Sequence, residues 1–409
     1  MSSAQKTASG ESFGHLVKLM GLLWLAGVAM RMTLLAIPPV IPLIHEELHM
    51  SETQIGLLIG LPLAIFAIAA VPGSLLIART GAKLAVLLGM LIAALASGAR
   101  AAAVDVWTLY AAAIATGFGI AVMQPAMPTL VRDWLPGRIA LGTLAYSAGM
   151  VMGATLPPAL TIPFVLPLLG GSWRLDLVLW AALTLLIVPA FFSLSPQQHD
   201  PDRGAGKTAS GARWWPDWKS PLVWLLGFTF GCNSSPFFAA NAFIGDYLAA
   251  SGQAGSLAPA LGWLNGAQIL ALVVLFFLTD RLQGRAWPYL IFGPAMLTGF
   301  LGLIAMPSPF LVVVSASLIG IATALTMTAI LALPAFLCAP ADIPRTAAGM
   351  FTISYTTSIV IPTASGALWD VTGKPWLTFV PSCLCAVALT VLGAVASRMR
   401  PARQAKQSR

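Results

Sequence analysis

Long apolar runs separated by short polar loops constrain this chain more than any other feature. A helix that spans a bilayer needs about 20 apolar residues. Runs of this kind occupy 16–44, 54–78, 84–103, 106–131, 139–163, 174–195, 221–248, 257–279, 287–306, 309–337, 346–370 and 375–397. Only 9% of the residues are charged, against about 25% in a soluble domain, which excludes soluble and disordered classes of protein. We predict an all-α polytopic membrane protein with twelve transmembrane helices.

A polar loop divides this chain into two similar parts. We predict an N-terminal six-helix bundle at 1–195, a cytoplasmic linker loop at 196–220, and a C-terminal six-helix bundle with a basic tail at 221–409. Segment 43–51 aligns with segment 243–251 at an offset of 200 residues, which indicates an internal repeat. Two six-helix pseudo-repeats are a common plan of secondary transporters, with the substrate site between them near the midplane.

The lysines and arginines are unevenly distributed over the predicted loops. Eighteen lie in the tails and the even-numbered loops, three lie on the opposite side (Arg100, Arg174 and Lys374), and Arg31 lies within a helix. Cytoplasmic loops of membrane proteins are enriched in Lys and Arg. We therefore predict a multi-pass protein of a bacterial-type inner membrane with both termini in the cytoplasm. This topology accounts for the net charge of +8 without a nucleic-acid partner.

Two loops carry a charge pattern that resembles a known family. Residues 74–83 read Ser-Leu-Leu-Ile-Ala-Arg-Thr-Gly-Ala-Lys, and residues 280–285 read Asp-Arg-Leu-Gln-Gly-Arg. The first stretch resembles the signature between helices two and three of the major facilitator superfamily, with Ser74 in place of its first Gly and Ala78 in place of its Asp. We predict a cytoplasmic latch between the two halves, formed by Arg79, Lys83, Asp280, Arg281 and Arg285.

Within that superfamily, the chain is most similar to the cyanate and 2-nitroimidazole permease branch. The similar features are Arg31 in the first helix, Gly-Leu-Leu at 56–58, Gly-Phe-Gly-Ile-Ala at 117–121, and the run from Pro128 to Pro136. The resemblance covers essentially the whole chain. It implies the major facilitator fold and transport by alternating access in a lipid bilayer, with a small-molecule substrate.

Arg31 is the most informative single residue. It lies thirteen residues after Lys18 and fourteen before His45, about 20 Å from each helix end at ~1.5 Å per residue. An Arg at mid-membrane costs ~2.5–3.5 kcal/mol on insertion scales, so it should face a cavity or a partner. Since no Asp or Glu occupies the centre of a predicted helix, we expect an anionic substrate to be that partner. The alternative is a packing role.

Neutral polar residues on other helices complete the predicted substrate-binding set. Together with Arg31, they are Gln124, Tyr146, Asn233, Asn265, Gln268 and Tyr355. Asn265 and Gln268 are three residues apart and share a helix face. Tyr146 and Tyr355 are near-equivalent under the repeat. For each residue, the alternative is an interhelical hydrogen bond worth ~0.6–2 kcal/mol in a membrane.

The predicted function is secondary active or facilitative transport of a small polar, anionic organic solute by alternating access around Arg31. An exporter of drugs or nitro-heterocycles, in which Arg31 is structural, is the alternative. Asp105, Asp246 and Asp370 are expected at helix ends on the outer side. The solute therefore either moves passively or carries a proton with it. One chain contains both halves of the cavity, so a monomer suffices.

Residues 45–49 spell HExxH, the zinc-hydrolase motif in which two His bind the metal and Glu activates water. This motif raises the remote alternative of an intramembrane zinc protease. Such a site needs a third ligand, and the other histidines, His15 and His199, are predicted on the opposite side of the membrane. We therefore predict no enzymatic activity, no metal and no cofactor.

Overall fold

A computed structural model describes residues 13–196, 215–282, 284–305, 308–339 and 342–399, except for the side chains of 13, 69–78, 140, 275–282, 335 and 344. These residues form helices and no strand. The helices, in chain order, are α1 (Phe13–Leu35), α2 (Ile41–Leu48), α3 (Glu52–Ala99), α4 (Val106–Trp134), α5 (Ile139–Leu160), α6 (Trp173–Leu194), α7 (Pro221–Ala250), α8 (Leu257–Leu282), α9 (Trp287–Ala305), α10 (Pro309–Leu337), α11 (Ile343–Thr372) and α12 (Val380–Arg398).

The helices provide the predicted number of membrane passes. Ten described segments are long and apolar enough to cross a membrane, and the apolar stretch Glu52–Ile68 is shorter. The 30-residue α11 is richer in Ser and Thr, but its length of ~45 Å suffices for a bilayer. In the described chain, α1 with α2 forms one pass, α3 forms two, and α4 to α12 form one each. The predicted all-α polytopic fold is confirmed.

The first pass is broken after Leu35, whereas the apolar run 16–44 predicts one helix. Pro38 and Pro39 lack the N–H groups that would continue the helix, and the chain forms a 3-10 turn at Pro38–Val40 before α2. The guanidinium of Arg100, which is fully buried, donates from Nη1 to the carbonyl oxygen of Thr33 at 3.0 Å. Arg100 thus caps a carbonyl near the C-terminal end of α1.

The second and third passes form one bent helix, α3, instead of the separate helices predicted at 54–78 and 84–103. It begins at a capping box, in which Gln54 N donates to Ser51 Oγ at 3.3 Å and Ser51 N donates to Gln54 Oε1 at 2.9 Å. The bend lies at Gly81, whose φ of 81° and ψ of 159° favour glycine. The chain therefore changes direction there within a single helix.

Small residues bring helices into backbone contact. In the first half (residues up to 196), Gly149 and Gly153 of α5 lie against the carbonyl oxygens of Trp24 and Val28 of α1. In the second half (residues from 215), α7 packs on α11 and α12, and α10 packs on α8 and α9. Such close approach is typical of membrane helices. Most of the predicted linker lies outside the described residues, and the predicted domain limits stay a prediction.

The two halves meet closely at one end of the bundle, which we call the His45 end after the residue in α2. The opposite end, which contains Gly81, is called the Lys83 end. At the His45 end α3 lies so close to α11 that a Cβ on Gly60 would be 2.8 Å from Ile359 Cα. Side chains larger than glycine would separate these helices.

Polar contacts also join the halves at the His45 end. Asp370, in the last turn of α11, accepts from the backbone N–H of Glu52 at 3.0 Å and of Thr53 at 2.9 Å. The hydroxyl of Thr53 donates to the same carboxylate at 2.5 Å. A carboxylate at a helix N-terminus is stabilised by the helix dipole. The second half therefore caps the first turn of α3.

Candidate substrate-binding site

Arg31 lies inside the bundle with an unsatisfied guanidinium. It is partly exposed, although its neighbours Met30 and Met32 are buried. Its charge lies within electrostatic range of Tyr355 on α11, in the other half. Within the described part of the chain, Arg31 makes no hydrogen bond and no ion pair. The guanidinium therefore lies near the boundary between the halves and keeps its donors available.

Gln124 and Tyr355 join the halves beside this cation. Gln124 Nε2 on α4 donates to Tyr355 Oη at 3.1 Å, and both side chains are partly exposed. Three of the seven predicted substrate-binding residues, one each from α1, α4 and α11, therefore converge. The group offers a cation, a phenol and an amide, which is a suitable set for binding oxygen atoms of a small solute.

Asn233 contacts a neighbouring helix of its own half, and its role in substrate binding stays a prediction. Its side chain is fully buried, accepts a hydrogen bond from Thr326 Oγ1 at 2.5 Å, and donates to the carbonyl oxygen of Thr323 at 3.2 Å. Both partners belong to α10. The amide is thus used for packing α7 on α10, which is the alternative role that membrane helices give to buried Asn.

Asn265 also contacts residues of its own half, and its role in substrate binding stays a prediction. It is fully buried, and its Nδ2 donates to Asn241 Oδ1 at 2.9 Å and to the carbonyl oxygen of Leu261 at 3.0 Å. The contact with Asn241 links α8 to α7 within the second half. Asn265 therefore stabilises the interior of that half, and no open surface of its side chain is left for a solute.

Of the last two predicted residues, Gln268 keeps a free polar group. Gln268, one turn after Asn265, has a buried Nε2 without a hydrogen-bond partner among the described residues. Tyr146 is partly exposed on α5, where its carbonyl oxygen packs against Gly27, one turn before Arg31. Both stay candidates for substrate binding.

An aromatic wall adjoins Tyr355, and sequence reasoning did not single it out. Phe66 lies edge-on to Tyr355 with ring centroids 5.2 Å apart, and Phe351 stacks on Tyr355 at 5.8 Å. Phe230 meets Phe351 edge-on at 5.5 Å. The four rings come from α3, α7 and α11. In the sequence these Phe residues have no distinguishing signal, because Phe is common in lipid-facing and packing positions of every helix.

Two members of the predicted latch, Lys83 and Arg79, are described in the first half. Lys83 Nζ donates to the carbonyl oxygens of Ser195 at 3.3 Å and Pro196 at 3.1 Å, and lies 5.8 Å from the centroid of the Phe192 ring. These residues lie at the end of α6, so Lys83 stabilises its own half. Arg79 is exposed.

The second-half members of the latch are only partly described. Arg285 is exposed, and the side chains of Asp280 and Arg281 lie outside the described residues. A contact between these groups and Arg79 stays a prediction.

The HExxH segment does not form the paired zinc ligands of a protease. His45 is within α2, whereas His49 caps this helix in the left-handed conformation with φ 48°. Glu47 accepts from Trp173 Nε1 and from Arg174 Nη2, each at 2.6 Å. The stretch therefore links the end of the first pass to the start of α6, and its two His do not follow one regular helix.

Residues 23–264 match the family model described as Major Facilitator Superfamily. The chain belongs to the Major Facilitator Superfamily. This superfamily protein is 27% identical over 372 residues to "Uncharacterized transporter YycB" of Bacillus subtilis, with 89% of each chain covered. It is 25% identical to "Cyanate transport protein CynX" of Escherichia coli, with 91% of this chain and 95% of the relative covered.

Two further similarities agree with this assignment. The Major Facilitator Superfamily protein is 26% identical to the "2-nitroimidazole transporter" of Escherichia coli, over 59% of this chain and 61% of the relative. Its fold matches the crystal structure of a bacterial homolog of the human lysosomal transporter Spinster in an inward-facing, unoccupied conformation. The TM-score is 0.71 at 17% identity, with 95% and 98% of the two chains covered. This superfamily member is thus a multi-pass membrane transporter that works by alternating access, and the zinc-protease alternative is wrong.

Proposed function

We propose that this transporter moves a small polar solute with an anionic, oxygen-bearing group, and that Arg31 binds that group. The observation that carries the proposal is the free guanidinium of Arg31 between the halves, beside Tyr355 and Gln124. A planar guanidinium binds carboxylate-like groups through two parallel hydrogen bonds. An anion would also neutralise a charge that is costly inside a membrane.

The proposal also covers the orientation of the protein in the membrane and the side from which the solute reaches Arg31. The positive-inside distribution supports an orientation with both termini in the cytoplasm and the His45 end at the outer face of a bacterial-type inner membrane. The close α3–α11 contact at the His45 end then supports a state closed to the outside. The solute would reach Arg31 from the cytoplasmic side in this state, and from the outside after the halves rock apart. One chain forms the entire site, so a monomer suffices.

The proposal also covers the driving force of transport, which is either the gradient of the solute or that of a proton. No Asp or Glu side chain contacts Arg31 within the described residues. The solute either moves passively or carries a proton with it. Uptake that is unchanged after the pH gradient is collapsed would identify passive movement, and uptake lost with the gradient would identify proton coupling.

A second candidate function is export of nitro-heterocycles. The aromatic wall of Phe66, Tyr355 and Phe351 favours it, because a flat heterocycle stacks on such rings. The 2-nitroimidazole transporter among the relatives supports the same chemistry. In this alternative the aromatic rings select the solute and Arg31 is structural.

Ligand-induced thermal stabilisation of the purified protein distinguishes the two functions. The probes are cyanate, a hexuronate and 2-nitroimidazole at mildly acidic pH, where the first two are anionic and the ring N–H keeps the third mainly neutral. A ligand that binds only the folded state stabilises by ~2.7 kcal/mol at a hundredfold excess over its dissociation constant. The variant is Arg31→Ala, and the matched control is Arg132→Ala, which removes an exposed arginine near the end of α4.

The anion proposal expects an anion to stabilise the wild type and Arg132→Ala but not Arg31→Ala. If 2-nitroimidazole instead stabilises all three proteins equally and no anion acts, Arg31 is structural and the export function replaces the proposal. A probe that stabilises Arg31→Ala as strongly as the wild type is not bound by the guanidinium.

A further inference from the structure

Three side chains with metal-binding groups meet at the His45 end, across the boundary between the halves. His45 Nδ1 on α2 lies 3.1 Å from Asp246 Oδ2 on α7 and 3.9 Å from Glu52 Oε1 on α3. One ligand atom from each of the three residues lies within 4.8 Å of those of the other two. His45 and Glu52 belong to the first half, and Asp246 belongs to the second.

The buried carboxylate of Glu52 lacks a protein partner for one of its oxygens. Its side chain is 8% exposed, and Oε2 makes no hydrogen bond in the described structure. Asp246 is 9% exposed, whereas His45 is 32% exposed. Two buried carboxylates within a few ångströms of each other repel strongly in a low-dielectric site. His45 opens this group to the solution and provides an entry path.

Other charged groups near the cluster add negative potential without occupying it. Asp370 lies next to Glu52, but its two oxygens accept the backbone N–H groups that begin α3. On α2, Glu47 is paired with Arg174, and Glu46 is exposed. Among the described residues, no Lys or Arg is paired with Glu52 or Asp246.

We propose that His45, Glu52 and Asp246 bind one divalent transition-metal cation of the Zn²⁺ type and that this cation clamps the His45 end shut. An imidazole nitrogen with two carboxylate oxygens is a common zinc ligand set, and a water molecule supplies the fourth ligand. Zinc bonds of ~2.0–2.2 Å at tetrahedral angles hold ligand atoms ~3.4 Å apart. The present separations surround that value, so small side-chain movements complete the site.

The cation acts on the conformational cycle, because its ligands come from both halves. The two carboxylates have a combined charge that a divalent cation neutralises, so binding removes their repulsion in the closed state. Opening of the His45 end separates Asp246 from His45 and Glu52 and destroys the site. A ligand that binds one state only shifts the population toward it. Metal at the outer face therefore slows transport, and this effect does not depend on which solute Arg31 binds.

Zinc titration of the purified, tag-free protein without transport substrate tests the site. The variants are Glu52→Gln and Asp246→Asn, which keep the shape of each side chain and remove one ligand charge. His49→Asn is the matched control, because His49 is exposed four residues after His45 and Asn tolerates its left-handed backbone. Isothermal titration gives stoichiometry and affinity, and amide hydrogen exchange shows which helices become protected.

We expect one Zn²⁺ per chain in the wild type and in His49→Asn. In Glu52→Gln and Asp246→Asn the affinity for zinc should fall at least ~tenfold, since even changes to residues outside the ligand set have effects of that size. Exchange should slow in peptides from both 41–55 and 243–250. Zinc binding of equal strength in Asp246→Asn overturns the site, and protection confined to one half overturns the clamp. Arg31→Ala should bind zinc normally, so failure of the substrate proposal is distinguished from failure of this one.

Discussion

The contact between α3 and α11 allows the conformational equilibrium to be perturbed by a single methyl group. A Cβ added at Gly56 would lie 2.7 Å from Pro362 C and 2.9 Å from Thr363 N. These are backbone atoms, so the overlap cannot be relieved by a rotamer change. Gly56→Ala therefore forces the helices apart at the His45 end, where the described structure is closed.

The magnitude follows from the cost of overpacking, which is ~1–3 kcal/mol for an added carbon in a tight interface. Only the closed state incurs this cost, because the helices separate when the end opens. A difference of this size lowers the closed-to-open ratio by a factor of ~5–150. Gly→Ala also gains ~1 kcal/mol of helix propensity, which both states share and which therefore cancels in the ratio.

Distances between nitroxide labels at positions 46 and 251 measure the effect. Glu46 and Ser251 are exposed on opposite halves at the His45 end. The background protein has its four native cysteines replaced. We expect one short distance in the parent and an added longer distance in Gly56→Ala. The control is Gly21→Ala, because no atom lies within 4 Å of a Cβ at Gly21. A Gly56→Ala distribution that equals the parent refutes the argument, and so does a longer distance of the same size in Gly21→Ala.

Three further predictions concern single side chains. Arg100→Ala should lower the free energy of unfolding by about 1–3 kcal/mol, because the carbonyl of Thr33 loses its buried donor. Thermal denaturation in detergent measures this change, and an unchanged melting temperature would contradict the capping role. Asp370→Asn weakens charge-assisted bonds to the start of α3 that are worth about 1.5–3 kcal/mol, so the same nitroxide pair should report more of the open state. Tyr355→Phe should weaken binding of an anionic ligand by about 0.5–1.5 kcal/mol, or ~2–12-fold in dissociation constant, in a binding titration, while melting without ligand stays within a few degrees.

Several local features were predictable from sequence because their causes are local. The length and apolarity of each run predict a membrane pass, and the Ser51 capping box needs only residues three apart. Arg31 is identifiable because a charge at mid-helix is costly wherever the helix packs. The Pro38-Pro39 pair carried a break signal too, but the apolar run continues through it, so one helix was predicted.

Sequence did not distinguish the predicted substrate-binding residues from polar residues that pack helices together. Gln124 and Tyr355 form a hydrogen bond near Arg31, whereas Asn233 and Asn265 form hydrogen bonds within the second half. All are neutral polar groups in apolar helices, and the sequence contains no difference between them. Their roles depend on how each helix is rotated about its axis, and helices that are apolar on all sides carry little information about that rotation.

Hydrophobicity and charge along the chain are enough to predict three properties of this protein: the solvent in which it folds, the number of its passes, and one cation that needs a partner. The shared site of His45, Glu52 and Asp246 becomes visible only when the helices of both halves are packed together. The repeat offset of about 200 residues relates 45 and 246 as corresponding helix ends, but it does not show that their side chains meet. The contact itself requires a particular closed arrangement of helices from both halves, and that arrangement results from packing between residues far apart in the chain.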